Sequence, residues 1–262
     1  MITAITPTGD RPLAMSLCER WMMNQTVRPD QWLVIDDGQV PFVPTVPMEY
    51  VRREPQPNDP QHMLALKLQV AIPLIKGDKI LIIEDDEYYA PNYVEEMSKR
   101  LDKNDLVGIK QNRYYHIPSG GYHTMRNVGH ASLAETAFTR SFLPIVRKVI
   151  DDSIRMDYLD IRIWQKGKSR ASQRYRFGKR TFVTSRMGRQ VEAANVGDIH
   201  PLLFSDSDHP LYVGIKGMPG RAGIGIGHNP SIYATRDTAD RRVLKSWMPQ
   251  DYQIYLDAIG NA

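Results

Sequence analysis

The sequence predicts an α/β protein: a doubly wound, mostly parallel, Rossmann-like sheet followed by a loop-rich, basic C-terminal part. Three observations carry this. Short apolar runs alternate with stretches of helical periodicity along the first 110 residues. The connections carry Pro and Gly, which break regular structure. Three of the loops that follow the apolar runs bear carboxylates, and in such sheets the loops beyond the carboxyl ends of the strands build the ligand site.

The elements follow in order. Ile2–Thr6 reads as a strand, stopped by the loop Pro7-Thr-Gly-Asp-Arg-Pro12. Leu13, Leu17 and Trp21 fall at helical spacing and predict a helix to Gln25. Gln31–Ile35 is a second strand, ending in Asp36-Asp37-Gly38. Residues 41–60 hold six prolines and one short strand, Met48–Val51. A helix spans Gln61–Ile75, with Pro73 near its end, and Gly77-Asp78 turns the chain into the strand Ile80–Ile83. A helix over Asn92–Leu101 and a strand over Leu106–Lys110 come next. The polar stretch Gln111–His130 reads as an irregular insertion. Ala131–Arg140 predicts a strand, Leu143–Asp152 a helix, and Asp157–Gly167 another. The tail Gly197–Gly227 is loop-rich, and Pro249–Ile259 closes with a helix, since proline is tolerated in a first turn.

Composition sets bounds. The chain has 262 residues, 42% hydrophobic and 24% charged, as in an ordinary globular protein able to bury a sizeable core. No apolar run is long enough for a membrane span, and the first residues carry no leader pattern, so a cytoplasmic location is expected. The single cysteine, Cys18, excludes an internal disulfide. Charge is divided unevenly. Residues 1–110 hold 12 basic and 17 acidic side chains, a balance of −5, and residues 111–262 hold 22 and 13, a balance of +9. Nine basic residues and no acid lie between Trp164 and Gln190, which fits an anionic partner or a solvated loop.

The segment Glu84-Asp85-Asp86-Glu87 is the most chemical feature. Four adjacent carboxylates at a strand end repel one another and need a counter-charge. A hard divalent cation taking oxygen ligands is the natural one, and its usual work is to hold phosphates. A solvated acidic turn is the alternative.

Here the chain resembles nucleotide-sugar glycosyltransferases of the GT-A fold, in the broad family 2 pattern. The residues that carry the likeness are Ile5-Thr-Pro-Thr-Gly-Asp-Arg-Pro12, Asn24-Gln25-Thr26, Trp32-Leu-Val-Ile-Asp-Asp-Gly38, Ile82-Ile-Glu-Asp-Asp-Glu87 with Pro91 and Tyr93, Ala134–Arg140, and Asp157–Gly167. The resemblance implies residues 1–110 as the donor-binding half and residues 111–262 as the acceptor-binding and C-terminal half of one domain. It implies transfer of a sugar, from a UDP-sugar first of all, to an acceptor hydroxyl, with Mn²⁺ or Mg²⁺ as cofactor.

Residue by residue, Thr6, Arg11, Asp36 and Asp37 would contact the nucleotide. Arg11 might equally pair with a surface carboxylate, and Asp36-Asp37 might simply cap a turn. Asp86 would bind the metal directly, and Glu84 would lie near the ribose or a metal-bound water. Glu84 stands where the family usually has Asp, and Asp85 would point across the pleat. Asp157 would be the catalytic base, with helix capping as its alternative and Asp160 as its rival.

In the glycine-rich run Val213–His228, Lys216 and Arg221 would neutralise phosphate, and His228 would complete the metal shell. The acceptor expected first is a hydroxymethylated base in DNA, as in phage-type modifying enzymes of the host cytoplasm. A surface-polysaccharide or lipid-linked acceptor is second, and a catalytically inactive nucleotide or nucleic-acid binding module is the reading of another class.

Overall fold

The apolar runs form a seven-stranded mixed sheet. The computed structural model describes residues 1–60, 62–153, 158–177, 182–184, 190–192, 200–206, 209–221 and 223–260. Its strands are β1 (Ile2–Thr8), β2 (Gln31–Asp36), β3 (Glu49–Arg52), β4 (Lys79–Ile82), β5 (Tyr88–Tyr89), β6 (Leu106–Ile109), β7 (Gln111–His116), β8 (Gly121–Arg126), β9 (Thr136–Thr139), β10 (Phe182–Thr184), β11 (Gln190–Glu192), β12 (Pro201–Phe204), β13 (Tyr212–Lys216) and β14 (Thr235–Arg236). Its helices are α1 (Pro12–Met23), α2 (Leu64–Ala71), α3 (Tyr93–Leu101), α4 (Leu143–Asp151), α5 (Leu159–Phe177), α6 (Arg242–Trp247) and α7 (Tyr252–Gly260).

The main sheet runs β12-β6-β9-β4-β1-β2-β3. β1 lies parallel to β2 and β4, and β2 to β3, while β9 is antiparallel to both β4 and β6. All of β1 and β2 is buried, because helices cover both faces and a two-sided strand has no polar side to show. α1 and α3 pack into the core on one face through Met15, Trp21, Tyr93 and Met97. α2, α4 and α5 contribute Leu68, Val146 and Trp164 to the core on the other.

Local chemistry sets the helix ends. Pro12 opens α1, where a missing N–H costs nothing. α3 places Glu95 and Glu96 in its first turn and Lys99 and Arg100 in its last, the order the helix dipole favours. Trp21 is 1% exposed, stacks on Tyr255 at 5.6 Å, and donates its indole N–H to that tyrosine's hydroxyl at 2.9 Å. This contact fastens the C-terminal helix onto the first one.

A second sheet, ordered β14-β8-β7-β13-β5, abuts the first. It corrects two expectations. Gln111–His130, expected to be irregular, forms the antiparallel hairpin β7–β8. The loop-rich tail contains β12 and the fully buried β13. Polar residues on both strands of the hairpin hid its alternation.

Other differences are boundary shifts. The second helix is shorter than expected, giving way to a 3-10 turn at Ile72–Leu74, where Pro73 cannot continue the α-helix. The strand expected at 131–140 is confined to Thr136–Thr139, and α5 runs ten residues beyond Gly167.

Candidate active site

Topology brings the ends of β1, β2 and β4 to one edge, and the side chains there form a dense ionic network. Arg11 follows β1 and reaches across to the β4 end, with Nη1 2.8 Å from Asp86 Oδ2 and Nη2 3.2 Å from Asp85 Oδ1. Thr8 donates its hydroxyl to Asp85 Oδ2 at 2.6 Å. Asp37, at the β2 end, receives Lys67 Nζ at 3.2 Å and Arg221 Nη1 at 2.9 Å. Arg221 also pairs with Asp10 through Nη2. Lys216, from β13, ion-pairs with Glu87, whose other oxygen accepts the Ile215 N–H at 2.6 Å. Packing is close enough that a Cβ on Gly9 would fall 2.3 Å from Asp37 Oδ1, so glycine is required there.

Charge counting is informative. Six carboxylates (Asp10, Asp37, Glu84, Asp85, Asp86, Glu87) meet four cations (Arg11, Lys67, Lys216, Arg221), so two of the six would lack a counter-charge if all were ionised. Repulsion and burial relieve this by favouring protons on Glu84 and Glu87. Burial first, then Asp86 and Glu87, push Glu84 up to about 8. Burial pushes Glu87 up to about 7, with Lys216 opposing and Asp86 adding. Burial also acts upward on Asp86, but Arg11, Lys216 and His228 outweigh it and hold that carboxyl at about 2.

Glu84, Asp86 and Glu87 each offer an oxygen within 4.8 Å of the others. A hard divalent cation fits this donor set in ligand type, and its charge would take the place of the protons that Glu84 and Glu87 otherwise hold. His228 lines the same cleft but is not one of that group of three. Burial, then the nearby Lys216, push it down to about 4, so it is a neutral imidazole at neutral pH.

The network borders a cleft of about 870 Å³. Arg11, Lys67, Glu84, Asp86, Glu87, Lys216, Arg221 and His228 line it. Of the residues expected at the site, Asp85 is 1% exposed and lies with Asp86 in the turn after β4, where the alternation of a pleated strand does not apply. Asp36 is tied to Gly38 and Phe42 N–H, the Tyr50 hydroxyl and Arg52, which is the turn-cap role. Thr6 departs from the expectation of a nucleotide contact. It is fully buried and accepts the Trp32 indole N–H at 2.9 Å, because its side chain falls on the core side of β1. Asp157 lies outside the described residues, and Asp160, in the first turn of α5, lines the cleft with its pKa raised by burial.

Sequence reasoning missed Lys67, Asp10 and the pair Asn112 and Asn127. Lys67 had a readable signal: it is the one charge in Leu-Ala-Leu-Lys-Leu-Gln-Val-Ala, on a helix whose other buried residues are apolar.

No family model matches the chain, and no curated protein matches it. Among solved structures, it is similar to S. aureus TarS (TM-score 0.48, 11% identity, 82% of this chain and 36% of that one). It is also similar to S. aureus TarS 1–349 in complex with UDP-GlcNAc (TM-score 0.45, 12% identity, 84% and 60%). A third similar structure is TarS 1–349 in complex with UDP (TM-score 0.39, 13% identity, 55% and 48%). The chain thus spans between 36% and 60% of the length of these structures, and at such scores neither fold nor ligand is carried over from them.

Proposed function

We propose that the protein is a metal-dependent, inverting glycosyltransferase acting on a nucleotide-sugar donor, a UDP-sugar first of all. One observation carries the reading: three parallel strand ends bring a network with more carboxylates than cations to the edge of a cleft large enough for such a donor. A purely structural ion network has no need of a lined cavity or of carboxylates that must hold protons for want of a cation.

Glu84, Asp86 and Glu87 would hold Mn²⁺ or Mg²⁺, which supplies positive charge to the departing diphosphate. Arg11, Lys216 and Arg221 border the same space and exchange part of their carboxylate pairing for phosphate oxygens. The segment Asp157–Asp160 supplies the base. A carboxylate there takes the proton of the acceptor hydroxyl as its oxygen bonds to the anomeric carbon, and the bond from that carbon to the diphosphate breaks. Attack from the face opposite the leaving group inverts the configuration.

Two acceptors follow from the sequence. A hydroxymethylated base in DNA rests on the basic stretch from 164 to 190, of which side chains beyond Lys168 lie outside the described residues. A surface-polysaccharide acceptor rests on the general resemblance, and the outer wall of the cleft bears on the choice.

The test is release of nucleoside diphosphate from a panel of nucleotide sugars, with Mn²⁺ and with EDTA, for the wild type, Asp157→Asn and Asp160→Asn. The expected result is metal-dependent release that one of the two variants abolishes while donor binding survives. Release unaffected by EDTA, or by both variants, refutes the reading.

A further inference from the structure

The cleft has two unlike sides. Each of its four Lys and Arg residues already faces a carboxylate, and three of them, Arg11, Lys67 and Arg221, sit at the strand-end edge. The opposite wall, from β7, the end of β8 and the start of α5, contributes Asn112, Tyr114, Asn127, Ser132, Tyr158 and Asp160. Lys216, on the neighbouring β13, lies where the two sides meet, its Nζ paired with Glu87 and 5.9 Å from the Tyr114 ring centroid. Lys168, whose Nζ packs by Gly129, does not line the cleft.

That wall is wired. Asn127 Nδ2 donates to Asn112 Oδ1 at 2.7 Å, and Asn112 Nδ2 donates to the Tyr114 hydroxyl at 2.8 Å. The two amides are 5% and 1% exposed, so their pairing is fixed by the fold. The chain leaves a hydroxyl proton to give at the Tyr114 end and a carbonyl oxygen, Asn127 Oδ1, to receive at the other; neither has a partner among the described residues. At the rim Tyr158 is 55% exposed, although an aromatic side chain normally covers itself, and it sits at φ 64°. That left-handed backbone costs a non-glycine residue energy.

We infer that this wall is the acceptor subsite and that it takes an uncharged, polyhydroxylated ring, a carbohydrate, with Tyr158 covering one of its faces. The inference rests on the glycosyltransferase reading for its name as an acceptor site, but the binding surface stands by itself. Three features favour a sugar over a base in DNA. Fixed donor and acceptor ends match vicinal hydroxyls, each of which both gives and receives. A phosphodiester chain bound here would meet Asp160, and Lys216 beside the Tyr114 ring is already paired with Glu87, whereas nucleic-acid sites are built on Lys and Arg that can take phosphate. A flipped base is gripped between two flat or apolar surfaces, and only one exposed aromatic ring is present on this wall among the described residues.

The test is saturation-transfer NMR on the full chain with methyl glycosides of glucose, galactose, mannose and N-acetylglucosamine, and with an oligonucleotide containing hydroxymethylcytosine, each with UDP and Mn²⁺ present. Binding of at least one glycoside is expected. Asn127→Ala and the exposed Tyr158→Ser should each weaken it about tenfold, the loss of one good hydrogen bond or ring contact. Both variants should keep the wild-type melting temperature shift with UDP and Mn²⁺. No glycoside bound, glycoside binding unaltered by both variants, or preferential capture of the oligonucleotide with an affinity that falls steeply with salt would overturn the inference. Glycoside binding that persists where UDP and Mn²⁺ give no shift would remove the donor reading and leave this subsite standing.

Discussion

The two sides of the cleft are built on opposite principles. The strand-end edge crowds six carboxylates and four cations into buried and part-buried contact, so its properties come from charge and almost any substitution there unbalances a neighbour. The outer wall carries hydrogen bonds between neutral groups and one carboxylate. The difference teaches that a charged edge is suited to gripping a diphosphate, whereas a neutral wall is suited to selecting among hydroxyls. A transferase must do both across one cleft.

The strongest way to break this comparison is at Asp86. Asp86→Ala should lower turnover of a nucleotide sugar by about 10²–10³-fold, the scale of losing an electrostatic contact to the transition state. Far-UV circular dichroism should stay native, and a variant with full turnover would put the chemistry elsewhere.

Next is Lys216→Met. It strands Glu87 in a buried site, and removing one partner of a buried pair costs about 3–5 kcal/mol, read by urea denaturation. Asn127→Ala on the neutral wall should cost roughly 1–3 kcal/mol, the scale of a broken buried hydrogen bond. Equal costs would erase the distinction between the two sides.

The pH dependence sharpens the contrast further. Glu84 and Glu87 titrate higher in the folded chain, at about 8 and about 7, than the ordinary 4.5. The folded state therefore binds more protons between those values, and the stability this contributes is present below pH 4.5 and lost as pH rises towards 8. In EDTA the urea midpoint should fall from pH 5 to pH 8, and Mn²⁺ should flatten that fall. A midpoint rising over this range would contradict the charge count.

The smallest effect is expected on α3. Glu96→Gln removes a half-exposed pair with Arg100 at 2.6 Å and should change stability by less than about 0.5 kcal/mol, since solvent screens it.

The charged edge was far more legible in the sequence than the neutral wall, and the reason is physical. β1, β2 and β4 are buried on both faces, so they read as short runs of apolar and β-branched residues without a charged face, and parallel topology then assigns their ends to one place. Topology pointed to the loops holding Arg11, Asp37 and Asp86, and the glycine-rich run to Lys216, Arg221 and His228, although that four cations would already be paired with the carboxylates could not be read. Ion pairs such as Arg221 with Asp10 span 211 positions and leave no local trace. The hairpin β7–β8 was hidden because Gln-Asn-Arg-Tyr-Tyr-His is polar yet mostly buried, its polar side chains taking partners such as Asn127 for Asn112 and Asp237 for Tyr115 that lie far off in the sequence. Thr6 was expected in the first loop, but β1 runs on to Thr8, which leaves Thr6 inside the strand, bonded to Trp32.

The most direct measurement is the thermal shift of the wild type and Asp86→Asn with UDP, in Mn²⁺ and in EDTA. Cation-dependent capture of the diphosphate predicts a rise in melting temperature for the wild type with UDP and Mn²⁺ together, and none in EDTA or in the variant. The same rise in EDTA, or in Asp86→Asn, would contradict it.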